Sequence, residues 1–214
     1  MKVLVIQQRM GIGDMLILLS YIHAIAKKED CPVSILVKEN SRANEFLNQD
    51  KHIEKVIFLD RKKNQLGKHD GIVGFFKLAK RIKNERYDKV YILNSSLRYA
   101  LLARFAHIKS IVQYPLFKKK GQNIFETAKK FTEKIVGSSV SSQPKIFIDE
   151  KFVHEAKIKY DFSKKFKHIC VGISASGATK RWDIDRFITT FEKITKDKPC
   201  KFYLAGGQND KMLI

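Results

Sequence analysis

No apolar run in the 214-residue chain approaches the roughly 18 residues a bilayer-spanning helix needs. An integral membrane protein is therefore not expected. The opening stretch, MKVLVIQQRMGIGD, has no small-residue cleavage site, and no secretory signal is read in it. Cysteine is scarce. Cys31, Cys170 and Cys200 are odd in number and sit outside any metal-ligand spacing, so they read as buried thiols in a reducing cytoplasm. Acidic residues are few, 22 against 42 Lys and Arg, and the formal net charge is +20. Arginine is in turn the minor cation, at nine of those 42. Base-edge readout and bidentate phosphate grips favour arginine. A lysine-rich charge spread along the chain points instead to a solvated basic surface, or to attraction toward an anionic membrane face or substrate. Specific nucleic-acid binding is not expected. Intrinsic disorder is excluded by a hydrophobic content of 44% beside 30% charged residues.

What is present is an alternation. Short β-rich apolar runs at residues 2–8, 33–37, 55–59, 89–93 and 110–113 are separated by segments with helical spacing at 15–28, 42–47, 72–83, 97–106 and 124–135. Strands alternating with helices predict βαβ units and a parallel sheet covered on both faces. The stretch VGSSVSSQP at 136–144 reads as a linker. A short strand at 145–148 and a charged helix at 150–160 follow. The pattern then restarts with a strand at 168–173, a helix at 184–194 and a strand at 201–204, and a further helix begins near the end. The expected organisation is a Rossmann-like domain over 1–145, a linker region over 146–166 and the start of a second domain over 167–214, incomplete because two strands and one helix cannot cover a sheet on both faces.

Two turns carry the candidate chemistry. Gly11-Ile12-Gly13-Asp14 lies between the first strand and the first helix, where open α/β sheets bind ligands. Glycines there admit a close approach to the backbone, and the helix start offers free N–H groups. Asp14 reads either as a helix cap or as a carboxylate placed to accept a proton. The turn is not a Walker loop, since G-K-[ST] is absent. It is a poor dinucleotide fingerprint too, because Leu16 stands where a third glycine belongs, although Glu39 follows the second strand where a ribose-binding acid could sit. The second turn, ISASGATKRW at 173–182, ends a strand in small residues and closes on Thr179, Lys180 and Arg181. With the hydroxyl of Ser176 or Thr179 and two cations, it has the form of a phosphate or diphosphate site. No His/Asp/Glu cluster has metal-ligand spacing, and neither a metal nor a cofactor is expected. His23, on an apolar helix, reads as structural.

Together the two turns resemble the bacterial heptosyltransferases of lipopolysaccharide core synthesis, glycosyltransferase family 9. That family has a "GD" loop before a long apolar helix, here GIGDMLILLSYIHAI, and a small-residue loop closing on "KRW", here SASGATKRWDIDRF, then a strand ending in a glycine pair, here LAGG. The resemblance implies a GT-B fold of two Rossmann-like parallel-sheet domains, the second truncated. It implies inverting transfer of heptose from ADP-heptose to a lipid-linked core acceptor, at the cytoplasmic face of the inner membrane. Asp14 would be the general base and Lys180 the holder of the donor diphosphate, with Thr179, Arg181 and Ser176 beside it. Gly11 and Gly13 would shape the acceptor-side loop. The competing readings are a dinucleotide-binding Rossmann domain and a basic, non-catalytic module for nucleic acid or anionic lipid.

Overall fold

The computed structural model describes residues 1–9, 11–61, 67–115, 123–175, 180–196 and 198–207. The chain divides into two compact units, Met1–Ile148 and Asp149–Ile214.

In the first unit, five parallel strands form one sheet in the order β3-β2-β1-β4-β5: β1 (Val3–Ile6), β2 (Val33–Lys38), β3 (Ile53–Leu59), β4 (Lys89–Ile92) and β5 (Ser110–Gln113). The central strand β1 is buried at every position. This is why its four residues, Val-Leu-Val-Ile, form a continuous apolar run rather than an alternation. The pleat sends them to opposite faces. Val3 and Val5 join the core beneath α1 (Ile12–Lys28) and α5 (Ile124–Val136), while Leu4 and Ile6 join the core beneath α3 (Gly71–Glu85) and α4 (Leu97–Phe105). Each fully buried Leu or Ile in these layers contributes about 1.5–3 kcal/mol of transfer free energy.

Helix α1 is nearly enclosed. Met15, Leu18, Leu19, Ile22, Ile25 and Ala26 follow the spacing of a helix face against the sheet, and Tyr21 and His23 are buried on its two flanks. There the extended segment that follows α5 packs across it: Val140 is buried, and Tyr21 donates a 3.2 Å hydrogen bond to Ser142 Oγ. His23 Nε2 lies 2.6 Å from the buried Asp50 carboxylate. Burial pushes Asp50 up, but the His23 hydrogen bond and the His52 backbone N–H reverse this and hold it below the ordinary aspartate range. His23 is thus a structural histidine with a named partner. At the last turn of α1, Lys27 and Lys28 face the negative end of the helix dipole. Just beyond, Glu29 accepts from the Tyr91 hydroxyl at 2.6 Å and from Lys89 at 3.0 Å, tying α1 to β4. Burial, and then the Glu29 carboxylate, push Tyr91 up to about 12.

The second unit contains α6 (Glu150–Tyr160), β6 (Lys167–Gly172), α7 (Ile184–Thr195) and β7 (Cys200–Ala205), with β6 and β7 paired in parallel. No residue of α6 or α7 is buried. The two units have separate sheets.

Two expectations are corrected. Residues 145–148 are not a strand: among the described residues, no strand pairs with them. The cysteines are not buried thiols either. Cys170 is exposed, and Cys31 and Cys200 are half-buried. Two of the three lie on β6 and β7, a pair of strands without a buried position. The helix expected near the chain end lies outside the described residues. Among the described residues, no helix is long and apolar enough to cross a membrane.

Candidate active site

Strands β2 and β3 lie on one side of β1, and β4 and β5 on the other. A sheet wound this way opens a crevice where the connections diverge, outside the carboxyl ends of β1 and β4. A cavity of about 420 Å³ lies there. Gln8 and Arg9 line it from the end of β1, Asn94, Ser95 and Ser96 from the end of β4, and Tyr114 from the end of β5. Gln113 Nε2 donates to the Asn94 carbonyl at 3.0 Å and to the Ser96 carbonyl at 2.9 Å, and Asn94 Oδ1 accepts from the Ser96 N–H at 2.9 Å. These bonds hold the rim after β4 in one shape. They leave Asn94 Nδ2 buried with no acceptor among the described residues, a donor available to a ligand oxygen. Burial pushes the Tyr114 hydroxyl up, and the Arg9 guanidinium acts against it.

Asp14 stands on the third residue of α1, at the carboxyl end of β1. It does not line the cavity, but Leu18 does. Residues four apart share a helix face. Asp14 therefore shares the helix face of Leu18, one turn nearer the helix start. The capping position belongs to Gly11, and no side chain caps the helix. The Asp14 carboxylate is half-buried and makes no hydrogen bond or ion pair among the described residues. The cap reading of Asp14 thus has no bond to rest on.

Gly11 has φ 99° and ψ 158°, a backbone region that is essentially glycine's alone. Gly13 has ordinary helical geometry, and an added Cβ there would meet no atom within 4 Å among the described residues. Packing against the described residues does not demand glycine at 13.

In the second unit, Lys180 and Arg181 follow the carboxyl end of β6 and precede α7. Both side chains are exposed. Arg181 Nε donates to the Ala175 carbonyl at 3.3 Å, which draws the two sides of the loop together. Asp183 caps α7 by accepting from the Asp185 N–H at 3.0 Å. Ser176 and Thr179 lie outside the described residues. Glu39 is exposed in a short 3-10 turn directly after β2. Among the described residues, no group of three or more His, Cys, Asp or Glu is placed to hold a metal.

Sequence reasoning missed the cavity residues Gln8, Asn94, Ser95, Ser96 and Tyr114. The available signal was Asn-Ser-Ser between a β-rich run and an apolar helix, a small polar turn at a strand's carboxyl end.

The family model of glycosyltransferase family 9 (heptosyltransferase) matches residues 75–213. Escherichia coli ADP-heptose LPS heptosyltransferase II is similar in structure, with a TM-score of 0.70 and 18% identity, over 100% of this chain and 66% of that one. A glycosyl transferase family 9 protein from Veillonella parvula gives 0.71 and 18%, over 99% and 64%. The E. coli heptosyltransferase WaaC with ADP-2-deoxy-2-fluoro heptose gives 0.61 and 14%, over 100% and 71%. These likenesses show the GT-B type of fold. The chain spans about two thirds of the length of the first two proteins. No curated protein matches the sequence.

Proposed function

Because the chain belongs to glycosyltransferase family 9, we propose that it serves transfer of a sugar from a nucleoside diphosphate donor to an acceptor hydroxyl. The donor in this reading is ADP-heptose and the acceptor a lipid-linked saccharide of the lipopolysaccharide core. One similar protein, E. coli WaaC, has been solved both with ADP and with ADP-2-deoxy-2-fluoro heptose, which supports the donor class. The observation that carries the reading is the Asp14 carboxylate: unbonded among the described residues, on the first turn of α1, beside the crevice at the sheet's carboxyl end.

The chemistry is inverting. The acceptor oxygen forms its bond to the anomeric carbon on the face opposite the diphosphate. Its proton passes to Asp14, and ADP departs with the electron pair of the broken C–O bond. Lys180 and Arg181 offset the charge growing on the diphosphate. Ser176 and Thr179 donate hydroxyls to it, and Gly11 and Gly13 leave room for the acceptor.

The test follows ADP release from ADP-heptose with the full-length chain, with and without a heptose-accepting core lipid. Release that requires the acceptor supports the reading. Absence of release with both present overturns it.

Peripheral contact with the anionic cytoplasmic face of the inner membrane belongs to the same proposal. Ile72 and Phe76 on α3, and Leu97, Leu101 and Phe105 on α4, recur four residues apart and are exposed, Ile72 to 77%. The Phe76 and Phe105 rings meet edge to face at 5.3 Å and join the two stripes. Lys77, Lys80, Lys83 and Arg104 flank them. Each such cation near an anionic surface is worth about 1 kcal/mol, and salt screens it. Co-sedimentation with phosphatidylglycerol vesicles should be strong at low salt and weak at high salt, and Phe76→Ser with Phe105→Ser should reduce it. Equal binding to neutral and anionic vesicles would remove this part of the proposal.

A further inference from the structure

Helix α1 starts at the carboxyl ends of the strands and finishes at their amino ends. A cavity of about 660 Å³ opens at that far end, between the last turns of α1, the loop before β3 and the extended segment after α5. The volume is within the usual range for small-molecule sites. Lys27, Lys28, Lys51 and Lys145 line it. None of the four is ion-paired among the described residues. His23 and His52 also face it, their rings 5.1 Å apart, and the Phe147 ring lies 5.9 Å from each.

Two carboxylates nearby, Asp50 and Glu133, are already engaged. Asp50 is buried behind the histidines and accepts from the His52 backbone N–H at 3.0 Å, besides its contact with His23. Glu133, at the edge, accepts from Ser139 Oγ at 3.4 Å and from the Val140 N–H at 3.2 Å. The negative end of the α1 dipole opposes an anion here. Lys27 and Lys28, in the last turn, outweigh its half charge.

A second observation is independent of charge. Ser20 lines the same cavity, is only 7% exposed, and its hydroxyl has no partner among the described residues. A serine inside a helix that does not point to solvent can bond the carbonyl four residues back. A buried donor without an acceptor is uncommon, and a ligand oxygen in the cavity would supply one.

We propose that this cavity is a second, anion-binding site that takes a phosphoryl-bearing ligand, either a soluble diphosphate or the phosphate of a lipid headgroup. Lys27, Lys28, Lys51 and Lys145 neutralise it, Ser20 donates to one of its oxygens, and the imidazoles form the wall. The site lies at the opposite end of α1 from Asp14, and its existence does not depend on the transferase reading.

The test titrates the full-length chain with pyrophosphate and, separately, with dihexanoyl phosphatidic acid. It follows the ¹H–¹⁵N imidazole resonances of His23 and His52, which report on this cavity alone. A saturable shift is expected. It should survive Lys180→Ala and Lys27→Arg/Lys51→Arg, weaken at least tenfold in Lys27→Gln/Lys51→Gln, and weaken several-fold in Ser20→Ala. The replaced lysines are exposed, so these variants should fold, and an unchanged thermal midpoint checks it. Response to pyrophosphate identifies a soluble ligand; response to the lipid alone identifies a headgroup. The proposal is overturned if neither probe moves His52 saturably, if Lys180→Ala abolishes the shift, or if the glutamine pair binds as tightly as the parent.

Discussion

Replacing Asp14 by Asn should leave a folded chain whose sugar transfer is slower by roughly 10²- to 10⁴-fold, the usual cost of losing a general base. The substitution keeps the shape of the side chain and removes only its capacity to take a proton. Donor affinity should stay unchanged, because Asp14 belongs to the first unit and acts on the acceptor oxygen. The stability cost is bounded by the structure. Asp14 makes no capping hydrogen bond, so what is lost is the attraction of an acid to the helix N-terminus, about 0.3–1 kcal/mol. In a chain of this size that lowers the melting temperature by only a few degrees. Transfer rates and a melting curve on the same preparation decide the matter. Near-parental transfer with a lowered midpoint would make Asp14 a helix-terminus acid and end its catalytic role.

Lys180→Ala should act at the other substrate. A charge-assisted hydrogen bond contributes about 1.5–3 kcal/mol, so the affinity for ADP should fall by about ten- to a hundredfold. kcat/KM for the donor should fall by at least as much, since charge on the diphosphate grows toward the transition state. Lys180 is exposed and unpaired among the described residues, so the melting temperature should not move. Lys180→Arg should restore part of the affinity, because it restores the charge. Titration calorimetry with ADP is the measurement. Unchanged ADP affinity in the alanine variant would place the diphosphate elsewhere.

The fold was largely written in local pattern. The enclosed β1 shows as an uninterrupted apolar run and α1 as a helical repeat ending in two lysines, because each depends on neighbours a few residues away. Caps are local signals too, though these were not read: α5, α6 and α7 each begin after an Asn or Asp that accepts a backbone N–H two residues on. Residues 145–148 misled because Ile-Phe-Ile is a short β-rich apolar run, whereas a strand also needs a partner's hydrogen bonds. Phe147 is instead spent against the His23 and His52 rings. Asp14 and Lys180 stood out because each lies in a short turn whose residue types carry their own chemistry. The Asn94–Ser96 rim did not, since its shape depends on Gln113, 17 residues beyond Ser96. That pairing arises only when β4 and β5 lie side by side. The exposed Cys170 was likewise invisible, because burial is a property of what surrounds a strand.

The enclosed α1 carries Asp14 in its first turn and Lys27 and Lys28 in its last. Its 17 residues rise about 25 Å at 1.5 Å each. A rod gripped by the sheet on one side and by the 140–147 segment on the other has little freedom to slide or tilt. Displacement at one end is therefore poorly transmitted to the other. Charge is no better a messenger, since exposed groups that far apart are separated by more than two Debye lengths at physiological salt. The two ends of the helix are accordingly expected to bind independently. An anion seated at the lysines and an acceptor seated near Asp14 contribute additively, and sequence changes at one end can accumulate without altering the chemistry at the other.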